Sequence, residues 1–206
     1  MASNTPASAL TLFPLQAVLF PGGLLSLKVF EPRYVDLVTT SLREQRPFGM
    51  VALRGSREAR RTEDGRHFET TGTVAELIDV DSERSGILQV RCRGVQRFVV
   101  EQSQAQADGQ WLAQTHLLPN DALLAPTPAL LEAVRGLASA IASLKGRGSE
   151  PFLAPHRFDD AGWVANRWCE ILPISTVAKQ KLMELPDPLV RLQLVDDFLR
   201  SRGVVK

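Results

Sequence analysis

Apolar and polar positions follow two rhythms along this chain, and the change falls near residue 119. Before it, short apolar runs alternate with Pro, Gly and charged breaks. Leu10–Leu15 and Leu24–Val29 read as strands separated by the Pro21-Gly22-Gly23 turn, because proline lacks a ladder donor and glycine tolerates φ > 0. Pro32 suits a first helical turn, where an N–H needs no internal partner. Tyr34, Val35, Val38 and Leu42 then recur at helical spacing, which predicts a short helix over Pro32–Arg43. Phe48–Leu53, Thr73–Val80, Ile87–Arg93, Val95–Glu101 and Trp111–Leu118 are further strand candidates. Gly94 is expected to break the Ile87–Glu101 stretch in two, and Asp108-Gly109 to form a tight turn. Arg54–Thr70, polar and holding Gly55 and Gly65, reads as a long hairpin or loop. The pattern predicts an antiparallel sandwich or half-closed barrel with one helix.

The second half runs at a helical period. Pro119–Pro128 holds three prolines and reads as a linker. Leu130, Val134, Leu137, Ile141 and Leu144 make one apolar stripe, ended by Gly146-Arg147-Gly148. Asp159 and Asp160 are candidate caps for a helix carrying Trp163, Val164, Trp168, Ile171 and Leu172, which Pro173 stops. Ser175 caps a third helix through Met183. Asp187-Pro188 starts a fourth, with Leu192, Val195, Phe198 and Leu199 inward. The expected organisation is α+β: a β-rich subdomain over 10–118 and a four-helix subdomain over 119–206.

Composition narrows the class. The chain has 206 residues, 44% hydrophobic and 23% charged, with a formal charge of +1. That length can bury a real core, and that charge excludes wholesale attraction to nucleic acid or anionic lipid. Met1–Ala9 lacks the basic and apolar regions of a signal peptide. No window reaches the roughly 18 apolar residues of a membrane helix, so the expected setting is cytoplasmic, without a membrane partner. Cys92 and Cys169 lie far apart in sequence and are expected reduced.

Several of these segments together carry a family resemblance. Leu12-Phe13-Pro14-Leu15, Phe20-Pro21-Gly22-Gly23 and Phe30-Glu31-Pro32-Arg33-Tyr34 resemble the opening of the amino-terminal domain of the ATP-dependent protease Lon. Gly72–Leu77, Ile87–Gly94 with Arg97-Phe98, Asp159–Pro173 and Lys179–Pro188 continue the match, which spans roughly Leu10 to Arg200. The resemblance implies a PUA-like β-pseudobarrel followed by a helical subdomain, and a role in substrate recognition. The Lon motor and protease are expected to be absent. No Gly-x-x-x-x-Gly-Lys-Ser/Thr run occurs to cradle a nucleotide, and no Gly-x-Ser-x-Gly turn presents a serine, so no enzyme, catalytic residue or cofactor is expected.

The remaining chemistry yields two candidate surfaces. Glu31 and Arg33 are read as helix-start and local-pair residues. His67, His116 and His156 are scattered and lack the paired spacing of a metal site. Trp163 and Trp168, about 140° apart around a helix, are the candidate peptide-binding residues, one entering the bundle core and the other facing the crevice between the two halves. The competing reading makes both of them core. Expected partners are unfolded or partly unfolded proteins, with a protease as a further one. The alternative is RNA binding through Arg54, Arg57, Arg60, Arg61 and Arg66. Glu58, Glu63, Asp64 and Glu69 interrupt that cluster, which opposes the uncompensated charge phosphates require.

Overall fold

The computed structural model describes residues 8–55, 66–84 and 86–205. The chain divides into two units, Met1–Pro119 and Asn120–Lys206. The first holds strands β1 (Ser8–Leu15), β2 (Leu24–Val29), β3 (Phe48–Leu53), β4 (Phe68–Arg84), β5 (Ile87–Ala105) and β6 (Trp111–Leu117), with helix α1 (Pro32–Glu44) between β2 and β3. Their order is β2-β5-β4-β3-β1-β6, and β6 pairs back onto β5, which closes the sheet.

The sheet is mixed, which corrects the antiparallel expectation: β1 runs parallel to β3, from Leu12 opposite Gly49 to Leu15 opposite Ala52. A parallel pair needs a long crossover, and here β2 and α1 supply it. Hydrophobic alternation assigns a face to each residue and says nothing of strand direction, so the sequence pattern could not expose this pairing.

Gly94 does not break a strand. β5 runs through it, and its backbone exchanges hydrogen bonds with the turn, Gly22 N donating to Gly94 O at 2.8 Å and Gly94 N to Gly23 O at 2.9 Å. A Cβ at Gly94 would lie 2.2 Å from the carbonyl oxygen of Phe20. The glycine is therefore needed for close approach of two backbones. β4 also begins at Phe68, inside the segment read as loop. Bulges along β4 and β5 let one long strand serve successive partners, β2 at its start and β6 at its end.

Both faces of the central strands are buried. Leu10 and Leu12 of β1, Val51 of β3 and Val74 of β4 join Phe68 and Phe98 in one core. Their neighbours Phe13, Met50 and Ala75 point the other way, into a core with Tyr34, Leu37 and Val38 of α1. This double burial explains continuous apolar runs such as Phe48–Leu53.

The second unit contains a short 3-10 turn (Pro128–Leu130) and helices α2 (Leu131–Gly146), α3 (Ala161–Ile171), α4 (Thr176–Glu184) and α5 (Pro188–Ser201). Side-chain carboxylates cap α3 and α5, and a hydroxyl caps α4. Asp160 Oδ1 accepts from Gly162 N and Trp163 N, Ser175 Oγ from Ala178 N, and Asp187 Oδ1 from Leu189 N and Val190 N. Helix α3 is buried from Ala161 to Cys169 and lies against α2, α4 and α5. Along α2 the expected stripe is uneven: Leu137 is fully buried, while Val134, Ile141 and Leu144 are half-buried.

Candidate binding cleft

In the first unit the ends of β1 and β2 and the start of α1 surround an open cleft of about 340 Å³. Phe13, Val29 and Tyr34 form its buried side, with Leu15 and Leu53 half-buried beside them. Phe13 and Tyr34 stack with ring centroids 4.1 Å apart and planes 19° off parallel. Burial holds the Tyr34 hydroxyl pKa above its ordinary value, and Glu31 adds to this while Arg33 opposes it. Phe30 lines the same cleft and is 64% exposed, a large apolar side chain left in solvent.

Local sequence dictates this placement. Glu31 is the N-cap of α1 in an extended conformation, and Pro32 opens the helix. The chain therefore turns sharply after Val29, the last residue of β2, so Phe30 falls between strand and helix. Arg33 then braces the mouth. Its Nε and Nη2 both donate to Glu31 Oε2, at 3.1 and 2.8 Å, and Nη1 donates to Gly109 O at 3.2 Å. The guanidinium carbon sits 4.6 Å from the Tyr34 ring centroid. Gln110 Nε2 returns a bond to Arg33 O at 3.0 Å, so the β5–β6 turn is tied to the helix start. Chemically the cleft offers aromatic and aliphatic surface with a charged rim, suited to taking up an apolar side chain.

Glu31 and Arg33 pair with each other, as their local roles in the sequence predict, while no motif in the sequence marks a surface here. The overlooked signal was Phe30, an aromatic residue that directly follows a strand and precedes Glu-Pro.

The tryptophans lie in the second unit, and both are buried. Trp168 Nε1 donates to Ala133 O at 2.8 Å, which pins α3 to α2. Trp163 packs amid Phe152, His156 and Phe158, with centroid separations of 6.4, 5.6 and 5.4 Å. Of the arginine cluster, Arg54 pairs with Glu69 at 3.5 Å and Arg66 lies two residues before β4, while Arg57, Arg60 and Arg61 fall outside the described residues. His67 borders the cleft, His116 bonds Glu101 at 2.9 Å, and His156 leans on Trp163. Among the described residues no group of three His, Cys, Asp or Glu converges to hold a metal. Cys92 and Cys169 are free and buried, and burial pushes their thiols up to about 11 and about 12.

Helix α3 also carries a buried polar cluster. Arg191 of α5 donates to Asp121, to Asn166 Oδ1 at 3.0 Å, to Leu182 O at 2.9 Å and to Leu185 O. Arg167, fully buried, donates to Glu170 Oε1 at 2.7 Å between the rings of Phe152 and Trp163. Lys179 Nζ reaches Glu170 O at 2.9 Å. Burial outweighs both cations and pushes the Glu170 carboxyl up to about 7. The Arg191 bonds to Asp121 and Asn166 join segments 70 and 25 residues apart, and the cluster has the geometry of a structural lock.

The protein is thus a mixed-sheet α+β chain with an open apolar cleft in its strand-rich unit. It belongs to the ATP-dependent protease La (LON) substrate-binding domain family, which it matches over residues 9–201. The Lon protease of Paraburkholderia phytofirmans is 29% identical over 205 residues, covering 97% of this chain and 25% of that protein. Cereblon from Xenopus tropicalis is 33% identical over 121 residues, covering 56% of this chain and 25% of cereblon. The chain spans about a quarter of the length of these curated relatives. Among solved structures, a Lon N-terminal domain protein from Xanthomonas campestris superposes with a TM-score of 0.70 at 28% identity, covering 91% of this chain and 96% of that one. The N-terminal domain of a Mycobacterium avium complex Lon protease gives 0.63 at 14% identity, covering 92% and 97%, a likeness of fold alone.

Proposed function

We propose that this chain is a noncatalytic, cytoplasmic protein-binding module that holds exposed apolar segments of unfolded or partly unfolded proteins. Binding is reversible burial of apolar surface, with no covalent step and no nucleotide. The observation that carries the reading is Phe30, largely in solvent beside an apolar cleft, in a chain whose family is described as substrate-binding. Sealing one large apolar side chain of a partner contributes about 1.5–3 kcal/mol, roughly one to two decades in Kd. The expected PUA-like pseudobarrel over 10–118 and four-helix subdomain over 119–206 belong to this reading, supported by closure of β6 onto β5 and by the two units.

The test is isothermal titration against reduced, carboxymethylated lysozyme, which stays unfolded, and against peptides cut from it. Saturable heat with the unfolded protein and none with native lysozyme is expected. Absence of any saturable signal removes the reading. A salt-dependent shift of structured RNA without protein binding would favour the arginine-loop alternative.

A further inference from the structure

Arg33 lines the cleft and engages each nitrogen of its guanidinium. Nε and Nη2 share Glu31 Oε2, while Nη1 crosses 76 residues of sequence to the carbonyl of Gly109. The Glu31 pair is exposed, and an exposed ion pair adds little stability by itself. Its effect is on direction: Glu31 directly follows Phe30, and a guanidinium anchored at a second point limits where that corner of the chain can lean. The second point is itself well held. In the turn between β5 and β6, Gln106 N donates to Gln110 O at 2.8 Å, Gly109 N to Gln106 O at 3.0 Å and Gln110 N to Asp108 Oδ1 at 2.9 Å. Gly109 has a φ of +81°, which glycine adopts without strain. Gln110 Nε2 returns a bond to Arg33 O at 3.0 Å, so each segment gives the other one donor and one acceptor. The same arginine lies 4.6 Å from the centroid of the Tyr34 ring, which stacks on Phe13 in the buried wall of the cleft. Among the described residues, none of the turn from 106 to 110 lines the cleft.

We infer that Arg33 is a positioning residue: latched to the β5–β6 turn, it holds Phe30 and Tyr34 in the arrangement that receives a partner, so a turn outside the cleft sets the affinity of the cleft. This rests on the protein-binding reading and adds how that site is controlled. The physical basis is preorganisation. A rim whose side chains are already ordered loses less freedom when a partner docks than one that must order at that moment. Coupling is also reciprocal, so a partner that favours the ordered rim must in turn tighten the latch.

The test uses the whole chain and reduced, carboxymethylated lysozyme. Gln110→Met keeps the length of the side chain, removes its donor and changes no residue that lines the cleft. It should weaken binding about three- to tenfold, with the melting temperature unchanged. In the wild-type chain, bound lysozyme should slow hydrogen exchange at the Gly109 and Gln110 amides, a readout that needs no variant. Arg33→Lys, which cannot hold Glu31 and the Gly109 carbonyl in one geometry, should lose both the affinity and the slowed exchange. Wild-type affinity in Gln110→Met, whether or not its melting temperature falls, makes the contact merely structural and overturns the inference while the protein-binding reading stands. Exchange at the turn that binding leaves unchanged overturns it as well. Failure of the wild-type chain to bind unfolded lysozyme at all overturns both.

Discussion

Arg191 meets Asp121 across 70 residues of sequence, its Nη1 donating to Oδ2 at 2.5 Å. The guanidinium is only 1% exposed, and the same group satisfies Asn166 and the carbonyls of Leu182 and Leu185. One side chain thus ties the segment before α2, the helix α3, the α4–α5 turn and α5 itself. Removing it takes a buried cation and its hydrogen bonds from a carboxylate and three oxygen acceptors. Arg191→Ala is expected to cost about 3–5 kcal/mol, measured as the shift of the urea unfolding midpoint. Arg191→Lys, which cannot reach all four groups, should recover only part of that loss.

Glu170 makes stability depend on pH in an unusual direction. Its folded pKa is raised to about 7 from 4.5, so between those values the native state binds more protons than the unfolded chain. Stability from this group is present at low pH and is lost as pH rises through that window. Paired urea titrations of wild type and Glu170→Gln from pH 5 to pH 8 should show a smaller loss in the variant, by on the order of 1–3 kcal/mol. Parallel curves would reject the assignment.

The close approach at Gly94 gives a sharp structural test. A methyl group there meets the Phe20 carbonyl oxygen at 2.2 Å, and a backbone atom cannot swing aside as a side chain would. Gly94→Ala should lower stability by about 1–3 kcal/mol, read as a fall in melting temperature. Gly55→Ala, with open space around it, should leave the melt unchanged.

Phe30 and Trp168 separate binding from folding. Phe30→Ser removes an exposed ring and should weaken unfolded lysozyme about tenfold, with the melting temperature unchanged. Trp168→Phe removes the indole donor to Ala133 O and leaves a gap where the larger ring packed, so it should cost about 1–3 kcal/mol and leave peptide affinity as it was. The reverse pattern would return the candidate site to α3.

Local signals were legible where the physics is local. Pro32 at a helix start, Asp160, Ser175 and Asp187 as caps, and the turn at Gly22 are decided by neighbouring residues. Gly94 misled because a strand glycine looks the same whether it ends the strand or admits a second backbone. The tryptophans drew attention as large amphipathic side chains, yet α3 is buried almost all round and leaves neither ring much surface.

The sequence by itself determined the helices, most of the strands and the family, since periodicity, caps and ordered motifs are written in neighbouring positions. It nevertheless split β5 at Gly94 and started β4 five residues late. Only the tertiary structure decided that β1 runs parallel to β3, that β6 closes onto β5 and that Phe30 stands beside an apolar cleft. Those outcomes depend on which distant strands pair and which surface remains after they do. Hydrophobic spacing fixes what a residue turns toward the core, and the partner across the ladder is chosen by the packing of the whole sheet.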